Sequence, residues 1–350
     1  MYIYFICLAI IFTAFLFEEK AFFLKKKNFN KAYLFWGISL LLTLVSALRF
    51  NVGMDYETYL RIYSDASISV HEYGFQLINS FSKMCGFPAQ FTIACFSVAT
   101  IFFAFKFIKD TSKRPFFSIL IFYTFSPFFL QSLNVMRQML AVFIFAYSLK
   151  FIKEEKMIIY FLFIICGAFF AHQTILITLP LYFILNKNID NKIHILLILF
   201  TIFSGPIVLK IIQFTPYSYY IDMVNSQGVH NMLSITFMIE LLLSYIIVFK
   251  VKGINTPRVY KNMCFILMYF SSFIFLNSSS IIGILLERIL WYFLPIIIIY
   301  IPTICDNETK YKWQYTFFFC AIFISLFSLS IIINGTANKI VPYQSIFKIF

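Results

Sequence analysis

The chain predicts an all-α polytopic membrane protein of about 12 transmembrane helices, with its N-terminus outside and its chemistry gathered at the outer face. Three observations carry this reading. The 350 residues are 61% hydrophobic and only 12% charged, with 49 Phe, where soluble domains carry about 25% charged residues. A water-soluble core cannot hide that much apolar surface, so lipid is the main solvent. Apolar runs of spanning length recur along the chain, and Lys and Arg alternate between the loops that join them.

A spanning helix needs about 20 residues. Runs near that length fall at 2–17, 32–48, 88–108, 115–131, 138–152, 157–171, 173–186, 193–209, 232–249, 262–278, 281–304 and 314–333. The first has no basic region before it and no small-residue cleavage site after it, so it reads as a retained helix. Nothing divides the chain, and residues 1–350 read as a single integral membrane domain. Seven Cys, odd in number and without a CxxC, read as packing residues rather than a metal or disulfide framework.

Orientation follows from the loops. If 18–31 is cytoplasmic, every second loop is too, and those loops hold 20 of the 28 Lys and Arg. The net charge of +13 is then a topology signal rather than a nucleic-acid footprint. A second asymmetry lies inside the first. Lys is overwhelmingly cytoplasmic, whereas four of the six Arg (Arg49, Arg61, Arg137 and Arg288) are outer or at outer helix ends. Arg binds phosphate or carboxylate through a planar fork and stays ionised when partly desolvated. Outer Arg against the topology rule points to an anionic ligand at the outer leaflet.

The loop 49–87 opens with "RFNVGMDYETYLRIYSD". Gly53 permits a sharp turn, and Asp55 can cap a short helix. Tyr56, Tyr59 and Tyr63 share one face of that helix, and Glu57 and Arg61 form an i, i+4 pair on another. The pattern is that of an amphipathic helix lying in the interface, with Arg49 and Asp55 in a site above it. The loop continues through Glu72, Gly74 and Phe75 into a second amphipathic turn.

Further on, "LNVMRQML" sets Asn134 and Arg137 at i, i+3 on one helix face, with Gln138 beside them. "CGAFFAHQT" places His172 at an outer helix boundary, as a base or as a donor to a phosphate or sugar hydroxyl. "LLERILWYFLP" carries Arg288, Trp291 and Tyr292 at helical spacing, with Arg288 roughly seven residues inside the outer end of its span, where an ionised side chain is costly and functional by default. Glu287 is an alternative, structural partner for Arg288. Glu240, mid-span, reads as an interior packing group.

The stretches "LRFNVGMDYETY", "EYGFQLIN", "LNVMRQMLAVFIFAYSL", "AFFAHQTILITLPL", "ERILWYFLPI" and "VPYQSIF" stand in the order and spacing of the EpsG family. These bacterial membrane proteins are similar to Wzy-type polysaccharide polymerases. The resemblance covers 1–350 and departs at Gln344, where the family often has a basic residue. It implies a multi-pass protein of the bacterial cytoplasmic membrane, with a GT-C-like outer-face site. There a glycan on undecaprenyl diphosphate is transferred to the terminal hydroxyl of another lipid-linked repeat unit, as in O-antigen, capsule or exopolysaccharide synthesis.

The residues fit such a reaction. Arg137, Arg288 and Arg49 can meet the charge of a leaving diphosphate. Asp55, Glu72 and His172 are the outer candidates for the base. Tyr56, Tyr59, Trp291 and Tyr292 can contact sugar faces, with Asn134 and Gln138 as polar contacts. No metal and no cofactor is expected. The expected partners are the lipid-linked oligosaccharide and the bilayer, with a chain-length regulator and a flippase, and no nucleic acid. Two other classes stay open: a transporter or flippase of lipid-linked glycans, and a membrane O-acetyltransferase. The clustering of charge at one face, with no repeat of the 49–172 motifs in the second half, favours the polymerase over both.

Overall fold

A computed structural model describes residues 1–23, 31–65, 68, 72–189, 191–214, 234–251, 253–254, 256–277, 281–308 and 311–347. Lys25, Lys26 and Lys27, and most of the loop 210–231, on which part of the orientation rests, lie outside them. Among the described residues the regular structure is helical, and the one extended pairing is an antiparallel bridge between Arg49 and Ser345.

The contacts divide the chain into two compact units. The first is Met1–Ser148, Ile158–Leu179 and Ile298–Phe350; the second is Leu149–Met157 and Pro180–Ile297. In the first, α1 (Tyr2–Phe23) packs on α2 (Lys31–Ala47) and α6 (Pro115–Thr124), and α2 packs on α5 (Gln90–Thr111). Between α2 and α5 lie the short helices α3 (Tyr56–Ser64) and α4 (Tyr73–Met84). Then come α7 (Phe129–Asn134), α8 (Met136–Lys153), α9 (Met157–Phe170) and a 3-10 helix, Gln173–Thr178. The second unit holds α10 (Leu181–Leu185), α11 (Asn191–Phe203), α12 (Gly205–Gln213), α13 (Ile235–Val251), α14 (Arg258–Leu276) and α15 (Ile281–Leu290). The chain closes with α16 (Ile296–Asn307) and α17 (Lys312–Ile332), the latter against α6.

Among the described residues four helices are long and apolar enough to cross a membrane: Tyr2–Lys20, Gln90–Thr111, Arg258–Leu276 and Lys312–Ile332. Several expected spans are shorter or broken, and proline sits at the breaks. The run 115–131 stops at Thr124, just before Ser126-Pro127, because the residue preceding a proline avoids the helical region. The run 173–186 becomes a 3-10 helix and a five-residue α-helix on either side of Pro180. The run 281–304 breaks over Trp291–Pro295, where Pro295 lacks the amide that would continue the ladder.

One polar node holds the base of the first unit. Pro115 occupies the first turn of α6, a position where its missing N–H costs nothing. The next amides, of Phe116 and Phe117, donate to Glu18 at 3.3 and 3.1 Å, a carboxylate facing a helix N-terminus. Arg114 pairs with Glu19 and stands 3.4 Å from Asp306, which also takes Lys312 at 2.8 Å.

Candidate functional site

The helices expected in the 49–87 loop are present, but their faces are arranged differently. Tyr56 and Tyr59 of α3 are buried against the protein, so neither ring offers an open face to a sugar or to lipid. Tyr56 donates to Gln90 Oε1 at 2.9 Å, and Gln90 Nε2 donates to the carbonyls of Ala47 and Arg49. It is α4 that presents an exposed apolar stripe, Tyr73, Leu77, Phe81 and Met84, suited to the membrane interface. The other face of α4 buries Gly74, Phe75, Asn79 and Ser82.

Gly53 makes the entry to α3 possible. Its φ is +100°, and a Cβ there would lie 2.2 Å from the Leu133 carbonyl oxygen. The Met54 amide then reaches Asn134 Oδ1 at 2.9 Å, and the Tyr59 hydroxyl reaches the Asn134 carbonyl at 3.4 Å. Burial pushes Tyr59 up to about 12, against the opposing pull of Arg137, so its hydroxyl stays a donor. Asp55 is the N-cap of α3, half-buried, and its side chain makes no capping hydrogen bond. Glu57 takes Lys339 at 3.1 Å rather than its helical neighbour Arg61.

Asn134 and Arg137 do not share one helix. Asn134 ends α7, Val135 turns the chain, and Arg137 lies in the first turn of α8. From there its guanidinium lies over the rings of Phe75 (5.1 Å) and Tyr59 (5.9 Å). Its Nη1 meets Glu72 Oε2 at 2.5 Å, and Glu72 Oε1 stands 3.9 Å from His172 Nε2. Arg137 Nε is buried with no acceptor among the described residues. Gly74 brings Glu72 into place, since a Cβ there would fall 2.6 Å from the Phe170 Cα at the end of α9.

His172 caps the 3-10 helix. Its Nδ1 accepts from the Thr174 amide at 3.3 Å and lies 2.8 Å from the Thr174 hydroxyl. An Nδ1 that accepts leaves the ring proton on Nε2, the nitrogen directed at Glu72. Gln138 is buried beside Arg137.

Arg49 sits deeper than a ligand-binding residue should. It is fully buried, its Nη1 donating to the Ser46 carbonyl at 2.5 Å and to Ser97 Oγ at 2.9 Å. No carboxylate pairs with it among the described residues. Burial pushes its guanidinium below the usual range, and the surrounding hydroxyls of Tyr59, Tyr56, Tyr4 and Tyr343 oppose that shift. Its backbone pairs with the C-terminal segment. The Phe50 amide donates to the Gln344 carbonyl (2.8 Å), the Ile346 amide to the Leu48 carbonyl (2.9 Å), and the Tyr343 hydroxyl to Val45 (2.9 Å). The segment docks through backbone atoms and Tyr343, while the Gln344 side chain is exposed.

Residues 32–345 match the EpsG family. The chain belongs to the EpsG family. Its members are membrane proteins of polysaccharide biosynthesis, and the apolar helices agree with a membrane location. No curated protein and no solved structure matches the chain.

Within the first unit, the EpsG-family chain thus brings together Glu72, Arg137, His172 and Asn134, with Tyr59 beneath and Asp55 at the head of the same helix. Arg288 and Tyr292 belong to the second unit. Arg288 lies exposed on the ten-residue α15 rather than deep inside a long span, and Tyr292 and Trp291 are buried in the turn after it. Glu240 is buried on α13 as expected of a packing group, with Oε2 lacking a hydrogen-bond partner among the described residues. Sequence reasoning missed Ser97, which bonds Arg49, and Thr174, which fixes the His172 ring. The Thr two residues after a boundary His was the available signal for the second. Among the described residues no three His, Cys, Asp or Glu side chains converge as a metal site would require.

Proposed function

We propose that the protein is a polysaccharide polymerase. It joins repeat units carried on undecaprenyl diphosphate at the outer face of the cytoplasmic membrane, with the Glu72–Arg137–His172 cluster as its centre. The observation that carries this is the cluster itself, a guanidinium, a carboxylate and an imidazole on three different elements of one unit, in a chain of the EpsG family.

The reaction needs a cation for the leaving diphosphate and a base for the acceptor hydroxyl. In the resting protein Arg137 is held by Glu72. An arriving diphosphate offers the fork a stronger bidentate partner, and Glu72 is released beside His172. The acceptor oxygen attacks the anomeric carbon, the anomeric C–O bond to the diphosphate breaks, and undecaprenyl diphosphate departs with its new charge facing Arg137. The hydroxyl proton passes to the carboxylate, directly or through His172. Arg49 then has a positioning role, fixing the junction of α2, α5 and the C-terminal segment beneath the site.

Sidedness has its own support. Glu18, Glu19, Arg114, Asp306 and Lys312 come from three loops that the charge pattern assigns to the cytoplasm, and they meet one another. Glu57, Glu72, Arg137, His172 and Lys339 come from segments assigned outside, and they too pair among themselves. Deletion in the native host followed by glycan analysis tests the function. Loss of a polymerase leaves single repeat units on the lipid or its acceptor. Loss of a flippase leaves none outside, and loss of an acetyltransferase leaves full-length unmodified polymer.

A further inference from the structure

The second unit contains a cavity of about 670 Å³ where the turn 186–189 meets the first residues of α11 and α14. That volume falls within the range of small-ligand sites, about 300–1,000 Å³. The charge pattern of the loops assigns this end of both helices to the cytoplasm.

Asn262, buried near the start of α14, builds the cavity. Its Nδ2 donates to the carbonyls of Leu185 and Lys187 at 2.8 and 2.9 Å. Arg258 Nη1 donates to the Asn186 carbonyl between them at 3.1 Å. The turn is thereby held against the end of α14, and Lys187 comes to line the same space as Arg258 and Lys261, which lie far along the chain.

The topology rule asks for cations in a loop, not for their convergence. Other cations of the loops assigned to the cytoplasm are matched by carboxylates: Lys106 by Asp110, Arg114 by Glu19, Lys156 by Glu154 and Lys312 by Asp306. Among the described residues no carboxylate lines this cavity or pairs with Lys187, Arg258 or Lys261. Asp190 lies outside the described residues, and one carboxylate would still leave the three cations in excess. Arg258 and Lys261 also stand in the first turn of α14, where the helix dipole disfavours a cation. Thr256, on the same wall, keeps its Oγ1 buried with no hydrogen-bond partner among the described residues. A cleft lined by charge of one sign concentrates counter-ions, and guanidinium, ammonium and hydroxyl donors together suit phosphate oxygens.

The cavity is not wholly polar. Ile189 and Phe265 line it, and the Phe265 ring packs on His194 at 4.5 Å. Beyond His194 the exposed side chains of α11 include Ile195, Leu196, Ile198 and Leu199. A cationic cavity at the head of an exposed apolar helix face matches a phospholipid better than a free phosphate. We propose that this cavity seats the phosphate of an anionic phospholipid of the cytoplasmic leaflet, with the acyl chains along α11. Basic pockets between spanning helices on the cytoplasmic side take such headgroups. The inference is independent of the polymerase reading.

The test uses the full-length protein, stripped of lipid in a neutral detergent, and follows its thermal midpoint as each probe is added. Phosphatidylglycerol should raise the midpoint saturably. Phosphatidylcholine, without net charge, and glycerol phosphate, without chains, should leave it unchanged at the same concentrations. Lys187→Gln, and separately the double variant Arg258→Gln with Lys261→Gln, should raise the half-saturating phosphatidylglycerol concentration by about fivefold for each cation removed. Lys109→Gln with Lys153→Gln, two loop cations outside the cavity, should respond as wild type. Lys187 lies on a different loop from the other two, so either variant decides if the other fails to insert. No shift with phosphatidylglycerol, an equal shift with phosphatidylcholine, or equal weakening by the Lys109 and Lys153 pair overturns the proposal, because these loops then serve topology alone. An equal shift with glycerol phosphate overturns the lipid source and assigns the cavity to a free phosphate.

Discussion

Glu72 and Arg137, 65 positions apart in sequence, meet with Oε2 2.5 Å from Nη1, both at the N-terminal ends of their helices. The carboxylate is buried and the guanidinium one-fifth exposed. Removing one partner of so enclosed a pair costs about 3–5 kcal/mol, since the other charge is left unpaired. Substitutions that keep the charge are therefore the informative ones.

Arg137→Lys keeps a cation beside Glu72 and the rings of Phe75 and Tyr59. It cannot make the parallel pair of bonds that a guanidinium makes to a phosphate. Losing one preorganised group that meets developing charge costs about 3–4 kcal/mol, on the order of a hundredfold or more in rate. We expect normal insertion and mostly unpolymerised repeats on a glycan gel. A wild-type ladder at matched protein level would leave Arg137 an anchor and move the diphosphate to Arg288.

His172 has separable roles. Its Nδ1 caps the 3-10 helix and its Nε2 faces Glu72. Asn preserves a capping acceptor and removes Nε2, so His172→Asn should be present at near-normal level yet fail in chain growth, whereas His172→Ala should also lower the protein level. Immunoblot and glycan ladder together decide between them. A normal ladder in His172→Asn would confine this residue to capping.

Asp55 makes no side-chain cap, so Asp55→Asn should leave α3 and the protein level within about 0.5 kcal/mol of wild type. With Glu72 as the proton acceptor we expect chain growth to continue; a stop in this variant would make Asp55 the base, since Asn cannot accept a proton. Normal polymer length in this variant removes Asp55 from the mechanism and leaves Glu72 and His172 as the base.

The C-terminal segment is held by its backbone and by Tyr343. Gln344→Ala should therefore change stability by less than about 0.5 kcal/mol. Tyr343→Phe removes a buried hydrogen bond and leaves the Val45 carbonyl without that donor, costing about 1–3 kcal/mol, with no change in the size of the ring. Detergent-melting midpoints compare the two. A larger loss from Gln344→Ala than from Tyr343→Phe would contradict the docking described.

Orientation is open to a direct measurement. A Cys placed at position 83 should react with an impermeant thiol reagent in intact cells. One placed at position 26 or 109 should react only after permeabilisation, judged against the reactivity of the native Cys. Reaction at position 26 from outside would invert the topology and with it the sidedness of the proposed site.

The chain's apolar runs announce lipid as the solvent and helix as the backbone state, because a bilayer leaves no other way to satisfy backbone polar groups in a single segment. Local geometry was equally readable at Gly53, where glycine takes the required φ beside Leu133; Glu72, Arg137 and His172 stood out by residue type at helix boundaries, and the structure brings them together. Hydropathy alone, however, does not separate a side chain facing lipid from one facing protein, so the inward turn of Tyr56 and Tyr59 and the burial of Arg49 were invisible. It also passes over prolines inside apolar runs, which is why 115–131 and 281–304 read as continuous spans. Pairings across long sequence separations, Glu72 with Arg137 and Leu48–Phe50 with Gln344–Ile346, exist only once the helices pack. The first depends on two helix ends arriving at one point. The second runs through backbone amides and carbonyls that every residue carries, so no side chain there records it.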